Sequence, residues 1–224
     1  MIKVIAYDLD DTLLDTTGLL APRYARSTFE LMIKKGLKLS LDECERQRLH
    51  LVRSVSHRDT FEKLAHDFGT SETVACLPEI IEHFYNPEIP ETLPLMPGAR
   101  ENIDYLKNKY VLYLVTAGSL QSQLAKAKAL NVVKDFKDVI VVDSIQKKKK
   151  KDAFEAILRA ESIQPENMLC IGNSLSSEIK DALELGNIAC HFEHGEARGT
   201  VENLVRPPHF RIKTHSEFIP TCQL

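Results

Sequence analysis

The pattern of hydrophobic and polar positions divides the chain into a helical part and a part in which strands and helices alternate. Residues 2–6 form a short apolar run that is typical of a buried strand and ends in carboxylates. From residue 17 to residue 91 the apolar positions recur at helical spacing, and Ser40 and Glu43 are spaced as a capping box. The proline-rich segment 87–98 marks the end of this helical region.

After residue 98 the apolar runs of strands alternate with amphipathic helices. Strands are predicted at residues 110–115, 138–142, 167–171 and 188–192, and helices at 99–109, 120–130, 151–160 and 178–185. Repeated βα units indicate a doubly wound parallel sheet with helices on both faces. The predicted fold class is therefore α/β, with a sheet domain made of residues 1–16 and 92–224 and an inserted all-helical domain at residues 17–91.

Composition and charge exclude several classes of protein. The 224 residues are 43% hydrophobic and 27% charged, which is ordinary for a globular protein with a packed core. A net charge of −3 argues against general binding of nucleic acid or of an anionic membrane surface. The five cysteines lack CxxC pairs and are typical of reduced thiols. We therefore expect a cytoplasmic protein without a targeting segment or a membrane span, whose oligomeric state the sequence leaves open.

Two aspartates follow the first strand and suggest chemistry there. Asp8 and Asp10 would repel each other at neutral pH unless a cation or a shared proton intervened. Such a pair suits a hard divalent metal with oxygen ligands, such as Mg²⁺, and a carboxylate nucleophile. The alternative is a strand that ends in a solvated acidic turn.

Polar side chains also follow the other predicted strands. Thr116 follows the second strand, the lysine run 147–151 the third, and Asn173 the fourth, with Glu178 beyond it. A parallel sheet brings the carboxyl ends of its strands to one edge, where ligands bind. Carboxylates, a hydroxyl with adjacent amides and an ammonium would together suit a phosphoryl group.

In these features the chain resembles the haloacid dehalogenase superfamily, in its phosphatase branch. The first family motif, Asp-x-Asp-x-Thr, is matched by Asp8, Asp10 and Thr12. The second, an apolar strand ending in Thr or Ser, is matched by Thr116, and the third, a lysine before a helix, by the lysine run. The fourth usually reads Gly-Asp-x-x-x-Asp and differs here, where residues 172–178 read Gly-Asn-Ser-Leu-Ser-Ser-Glu.

The resemblance implies a Rossmann-like core and a role for each carboxylate. Asp8 would attack phosphorus and form an aspartyl-phosphate, and Asp10 would protonate the leaving oxygen and then activate water. Mg²⁺ would lie between the Asp8 carboxylate, the Asp10 main-chain carbonyl and Asn173. Glu178 keeps the carboxylate of the usual aspartate on a longer side chain and would orient the lysine or a metal-bound water.

The resemblance also implies a phosphoryl pocket. Thr116 and the positions beyond it, Ala117 and Gly118, would bind phosphoryl oxygens, together with Thr12. One lysine of the run would offset the charge of the nucleophile and of the phosphate. The other lysines are expected to be solvated.

The choice among the lysines depends on Phe154. In relatives an aromatic or large apolar residue on the first turn of the following helix comes about five or six residues after the lysine. Phe154 is the only aromatic residue in the segment 152–158. Counting back five, the spacing favoured by relatives with a Gly-Asn-Ser fourth motif, indicates Lys149, and counting back six indicates Lys148 as the second choice.

The helical domain resembles the cap that many relatives insert between the first and second motifs. Such a cap closes over the site and excludes water, which favours a small phosphorylated metabolite as the substrate. The alternative is a helical domain that serves stability alone. His191 and His194 are spaced for a metal pair, but a surface or loop role is favoured because no third ligand is obvious.

Two other functions are compatible with this scaffold. One is metal-independent 2-haloacid dehalogenation, against which Asp10 argues because a departing halide needs no proton. The other is a non-catalytic binding protein, motivated by Asn173 and Glu178 in the unusual fourth motif. The leading hypothesis is a Mg²⁺-dependent phosphatase.

Overall fold

The computed structural model of the chain separates it into two compact units. It describes residues 1–52, 54–143, 149–196 and 199–224. The first unit consists of Met1–Thr16 and Ile89–Leu224, and the second of Thr17–Glu88. The sequence predicted the second boundary at residue 91, and in the structure it falls at Glu88.

The first unit is built on a parallel sheet, which confirms the predicted α/β class. Within the described residues the sheet has six strands in the order β3-β2-β1-β4-β5-β6. Their bounds are β1 Val4–Tyr7, β2 Val111–Ala117, β3 Asp138–Val142, β4 Met168–Gly172, β5 Ile188–Phe192 and β6 Phe210–Ile212. The sequence did not predict β6, because three residues are too short for an alternating pattern to be recognised.

Helices lie at the four segments predicted after residue 98, at 99–109, 120–130, 151–160 and 178–185, whereas the short helix at Phe218–Cys222 was not predicted. Their bounds are α1 Thr16–Leu19, α2 Ala21–Lys34, α3 Leu41–Leu51, α4 His57–Phe68, α5 Ser71–Ala75, α6 Leu77–Tyr85, α7 Ala99–Leu106, α8 Leu120–Ala129, α9 Lys150–Ala160, α10 Glu178–Leu185 and α11 Phe218–Cys222. Among the residues that the structure describes, every helix is too short or too polar to cross a membrane.

The second unit contains only helices among its described residues. Ser40 and Ser56 cap α3 and α4 with reciprocal capping boxes, as the sequence predicted for the first of these. Its core is apolar and includes an edge-to-face pair of Phe29 and Phe61, whose ring centroids are 5.6 Å apart.

The strand order sets the position of the polar strand ends in the first unit. All four residues of β1 are buried, and β1 lies between β2 and β4. Parallel register pairs Tyr7 with Leu114 on one side and with Ile171 on the other. The residues that follow these strands therefore share the carboxyl edge at a point where the strand order reverses, which is where open α/β sheets bind ligands.

Candidate active site

The loop after β1 carries the two aspartates. The amide of Asp8 donates to the carbonyl of Ile171 at 2.9 Å, so Asp8 continues the pairing of β1 with β4. Asp11 then adopts φ +54°, and the amide of Leu14 donates to the carbonyl of Leu9 at 3.0 Å. This tight turn keeps Asp10 close to the end of β1, where Asp8 also lies.

Asp8 belongs to a buried cluster of three charges. Lys150 Nζ lies 2.6 Å from Asp8 Oδ1 and 2.9 Å from Glu178 Oε2. The second oxygen of Glu178 accepts a hydrogen bond from the amide of Ser174. Each of the three charged side chains is at most 7% exposed. Two carboxylates and one ammonium leave an excess negative charge in a region that solvates charge poorly.

The ionisation of the cluster reflects this excess. Burial, the largest cause, and the neighbouring Glu178 together raise the pKa of Asp8 to about 7, although Lys150 opposes both effects. Burial lowers the pKa of Lys150, but Asp8 and Glu178 outweigh burial and raise it above its ordinary value. Lys150 is therefore charged, and the cluster favours an additional cation.

Lys150, and not Lys149, is the lysine beside Asp8. The side chain of Lys149 is exposed, and its amide donates to Asp152 Oδ2 at 3.2 Å, where α9 begins. The prediction for Lys149 was wrong because Lys150 and Phe154 are separated by one helical turn and face the interior together. The second choice, Lys148, lies outside the described residues.

Three donors hold the Asp10 carboxylate. Lys126 Nζ lies 2.8 Å from Oδ1, Gln123 Nε2 donates to Oδ2 at 3.0 Å, and the Thr16 hydroxyl donates to Oδ1. Burial raises the pKa of Asp10, but Lys126 and these hydrogen bonds outweigh burial and hold it below its ordinary value.

Gln123 and Lys126 were not identified from the sequence. Together with Ala127 and Leu130, the residue that caps the C-terminal end of α8, they occupy positions i, i+3, i+4 and i+7, and all four are buried. Polar side chains within a core-facing stripe are unusual and need partners. That departure from the apolar pattern was the signal that could have indicated them.

Thr116 lies at the end of β2 and is connected to Asp10 through Gln123. Its buried hydroxyl donates to Gln123 Oε1 at 3.2 Å. The amide of Gly118 donates to the carbonyl of Val142 at 3.0 Å. In this arrangement the Gly118 amide is engaged in the sheet, which does not support the expectation that it binds a phosphoryl oxygen.

Thr12 lies in the loop that carries the two aspartates. Its carbonyl accepts a hydrogen bond from His215 Nε2 at 2.7 Å. Its hydroxyl is closed off from solvent and has no hydrogen-bond partner within the described parts of the chain. The expected contact between Thr12 and a substrate is therefore not supported by this geometry.

Asn173 lies at the end of β4 and is nearly buried. Its Nδ2 donates to the carbonyl of His194 at 3.0 Å, and its own carbonyl accepts from His191 Nε2 at 3.1 Å. Its Oδ1 accepts no hydrogen bond from any residue in the ranges that the structure describes. This oxygen and the Asp8 carboxylate are the kind of donors that a hard cation such as Mg²⁺ prefers.

The two histidines do not form the metal pair considered from the sequence. Burial lowers the pKa of His191, whose ring binds the Asn173 carbonyl. His194 Nε2 instead lies 3.0 Å from Asp15 Oδ1. His194 groups with Asp15 and Asp11, whose nearest ligand-type atoms all lie within 4.8 Å of one another.

Comparison with known proteins identifies relatives along most of the chain. A family model described as haloacid dehalogenase-like hydrolase matches residues 2–186. Glyceraldehyde 3-phosphate phosphatase of Pyrococcus furiosus is 28% identical over 199 residues, covering 87% of this chain and 82% of that protein.

Two solved structures show the same fold. A predicted phosphoglycolate phosphatase from Haemophilus somnus has a TM-score of 0.72 at 17% identity, covering 98% of this chain and 97% of that one. The putative HAD-hydrolase YfnB of Bacillus subtilis, bound to magnesium, has a TM-score of 0.66 at 18% identity, with the same two coverages of 98% and 97%.

The buried excess charge predicts a pH-dependent effect of Asp8→Asn on stability in EDTA. Because the folded-state pKa of Asp8 is raised to about 7, the folded protein binds a proton that the unfolded chain releases near pH 4. The free energy of unfolding of the wild type therefore falls as the pH rises from about 4 to about 7. Asp8→Asn carries no such penalty and becomes more stable than the wild type, by on the order of a few kcal/mol above pH 7.

Urea unfolding at a series of pH values measures this difference. Glu166→Gln, which removes an exposed carboxylate, is the matched control. A stability difference between Asp8→Asn and the wild type that stays constant from pH 4 to pH 8 would contradict the account of the cluster.

Proposed function

The chain belongs to the haloacid dehalogenase-like hydrolases, and we propose that it is a Mg²⁺-dependent phosphatase of a small phosphorylated metabolite. The observation that carries the proposal is the buried Asp8 at the carboxyl end of β1, with Lys150 Nζ 2.6 Å from its carboxylate. A relative along 87% of the chain is a glyceraldehyde 3-phosphate phosphatase, so small phosphate monoesters of that kind are the proposed substrate class.

In the proposed mechanism Asp8 is the nucleophile. One of its carboxylate oxygens bonds to phosphorus while the bond from phosphorus to the leaving oxygen breaks, which gives an aspartyl-phosphate. Water then attacks the phosphorus of this intermediate and releases inorganic phosphate and the free Asp8 carboxylate. Splitting the displacement in two replaces one difficult step by two easier ones.

Asp10 is the proposed proton-transfer group in both steps. The negative charge of the bound phosphate favours uptake of a proton by Asp10, whose pKa Lys126 otherwise holds below its ordinary value. Asp10 gives this proton to the leaving oxygen and then takes one from the attacking water. Support for this role comes from its position in the same tight loop as Asp8 and from the donors that orient its carboxylate.

Lys150 and Thr116 are proposed to act on the phosphoryl group. The ammonium of Lys150 offsets the charge of Asp8 and of the incoming phosphate, and Glu178 keeps that ammonium charged and oriented. The hydroxyl of Thr116, at the end of the neighbouring strand, is the proposed donor to a phosphoryl oxygen. Lys149 takes no part in this scheme.

The donor set fits a magnesium ion. The Asp8 carboxylate and Asn173 Oδ1, with the main-chain carbonyl of Asp10, are the residues that would hold it, and the excess negative charge of the cluster favours a divalent cation. When bound, the ion would offset the negative charge of the phosphoryl oxygens. The magnesium-bound structure of YfnB, which shares this fold, is in keeping with this.

The helical unit Thr17–Glu88 is proposed to serve as the cap that selects the substrate. It is inserted in the chain between the strand that leads to Asp8 and the strand that carries Thr116. All five cysteines are free thiols, which supports a reducing compartment such as the cytoplasm.

Hydrolysis of 4-nitrophenyl phosphate tests the proposal. We expect activity with Mg²⁺, loss of activity with EDTA, and no turnover by Asp8→Asn, because an amide cannot form the acyl-phosphate. Halide release from 2-haloacids without metal would favour the dehalogenase, and the absence of both activities would favour a binding protein. Normal phosphatase rates in folded Asp8→Asn would contradict the proposed nucleophile.

A comparison of two neighbouring lysines tests the role of Lys150. Lys150→Met should lower kcat by about 10²-fold or more, the typical cost of removing a preorganised electrostatic donor. Lys149→Met is the matched control and should stay close to the wild type, because its side chain is exposed. Circular dichroism checks that Lys150→Met is folded, since it leaves two buried carboxylates together. An equal loss in both variants would contradict the assignment.

A further inference from the structure

We propose that Gln123 and Lys126 of α8 are positioning residues that hold Asp10 where it can deliver its proton to the leaving group. The inference rests on the proposed function, because it assumes that Asp10 is the proton-transfer group. It adds two residues of a helix to a reaction whose other proposed groups follow the ends of strands or begin helices.

Both oxygens of the Asp10 carboxylate are held by α8. Lys126 Nζ contacts Oδ1 at 2.8 Å and Gln123 Nε2 contacts Oδ2 at 3.0 Å. The two residues are three positions apart on the helix and therefore lie on the same face. A carboxylate held at each oxygen cannot rotate freely, so the helix sets its direction together with the Thr16 hydroxyl, which also donates to Oδ1.

The orientation of the Gln123 amide is fixed by its other contacts. Its Nε2 lies 3.3 Å from the carbonyl of Ala117, which can only accept a hydrogen bond. Its Oε1 accepts from the Thr116 hydroxyl at 3.2 Å. The nitrogen must therefore face Asp10 and the oxygen Thr116, so one side chain orients two proposed catalytic groups from different strands.

Gly118, which has no side chain, leaves room for the Gln123 amide. Gly118 adopts φ +148°, and a Cβ atom there would lie 2.7 Å from Gln123 Nε2. A side chain at position 118 would displace the amide that holds Asp10. The close approach of the loop to α8 is thus part of the same arrangement.

Burial separates Lys126 from an ordinary surface lysine. Its side chain is 8% exposed, whereas Lys128 on the same helix is exposed. Burying an ammonium is costly unless it is paired, and Asp10 is the partner that the geometry supplies. Lys128 therefore provides a matched control of the same chemistry on the same helix.

The test compares two substrates of similar shape that differ in their need for a proton. Phenyl phosphate releases a basic phenolate that needs protonation, whereas 4-nitrophenyl phosphate releases a stable anion. The measured quantity is kcat/KM, because it reports the steps up to departure of the leaving group. A general acid that is misplaced by about 1 Å can cost about 10²-fold in rate.

We expect Lys126→Met to lower kcat/KM for phenyl phosphate by about 10²-fold and to change that for 4-nitrophenyl phosphate far less. Lys126→Arg, which keeps a charged donor, should recover part of the loss, and Lys128→Met should match the wild type. Gln123→Met, which is close in length but has no N–H to donate to Asp10, should show the same dependence on the leaving group. This Gln123 variant tests the inference if Lys126→Met does not fold.

Equal losses for both substrates, or a Lys126→Met variant that behaves like Lys128→Met, would overturn the positioning role. Asp8→Asn distinguishes this failure from failure of the proposed function. If Asp8→Asn is inactive on both substrates while the α8 variants show no dependence on the leaving group, only the positioning inference fails. If Asp8→Asn remains active, the proposed nucleophile fails first.

Discussion

The arrangement of the candidate site depends on one buried ion cluster at the carboxyl edge of the sheet, in which Lys150 contacts both Asp8 and Glu178. Burying these charges costs desolvation free energy, which is offset only where the geometry and the hydrogen bonds are favourable. Here the main chain supplies part of that support, since the amide of Ser174 binds Glu178. The cluster still carries more negative than positive charge, so it favours a further cation.

The parallel sheet explains how groups so far apart in the sequence meet. Strands β1, β2 and β4 are adjacent and point the same way, and their carboxyl ends lead to Asp8, Thr116 and Asn173. Helices α8 and α9 then add Lys126 and Lys150 from their buried faces. The sheet edge positions the proposed nucleophile, and the helices position the groups proposed to assist it. Groups on strands and helices are placed more accurately than groups on loops alone.

The sequence predicted the features that follow simple periodicity and missed those that depend on side-chain contacts. The strands that lead to Asp8, Thr116 and Asn173 are confirmed, because buried apolar runs bounded by polar residues are strong signals. The lysine beside Asp8 was predicted one residue too early, because a count taken from relatives was used where the helical turn from Lys150 to Phe154 decides which side chain faces the interior. Gln123 and Lys126 were missed because α8 matches no motif, and their contacts with Asp10 become visible only in the structure.

The central claim is that Asp8 becomes phosphorylated during turnover, and rapid acid quenching of the enzyme with a phosphate monoester and Mg²⁺ tests it most directly. Borohydride reduction of the quenched protein, followed by peptide mapping, identifies any residue that carried an acyl-phosphate. The account predicts modification at Asp8 in the wild type and none in Asp8→Asn. Turnover without modification of Asp8, or modification at Asp10 instead, would contradict it.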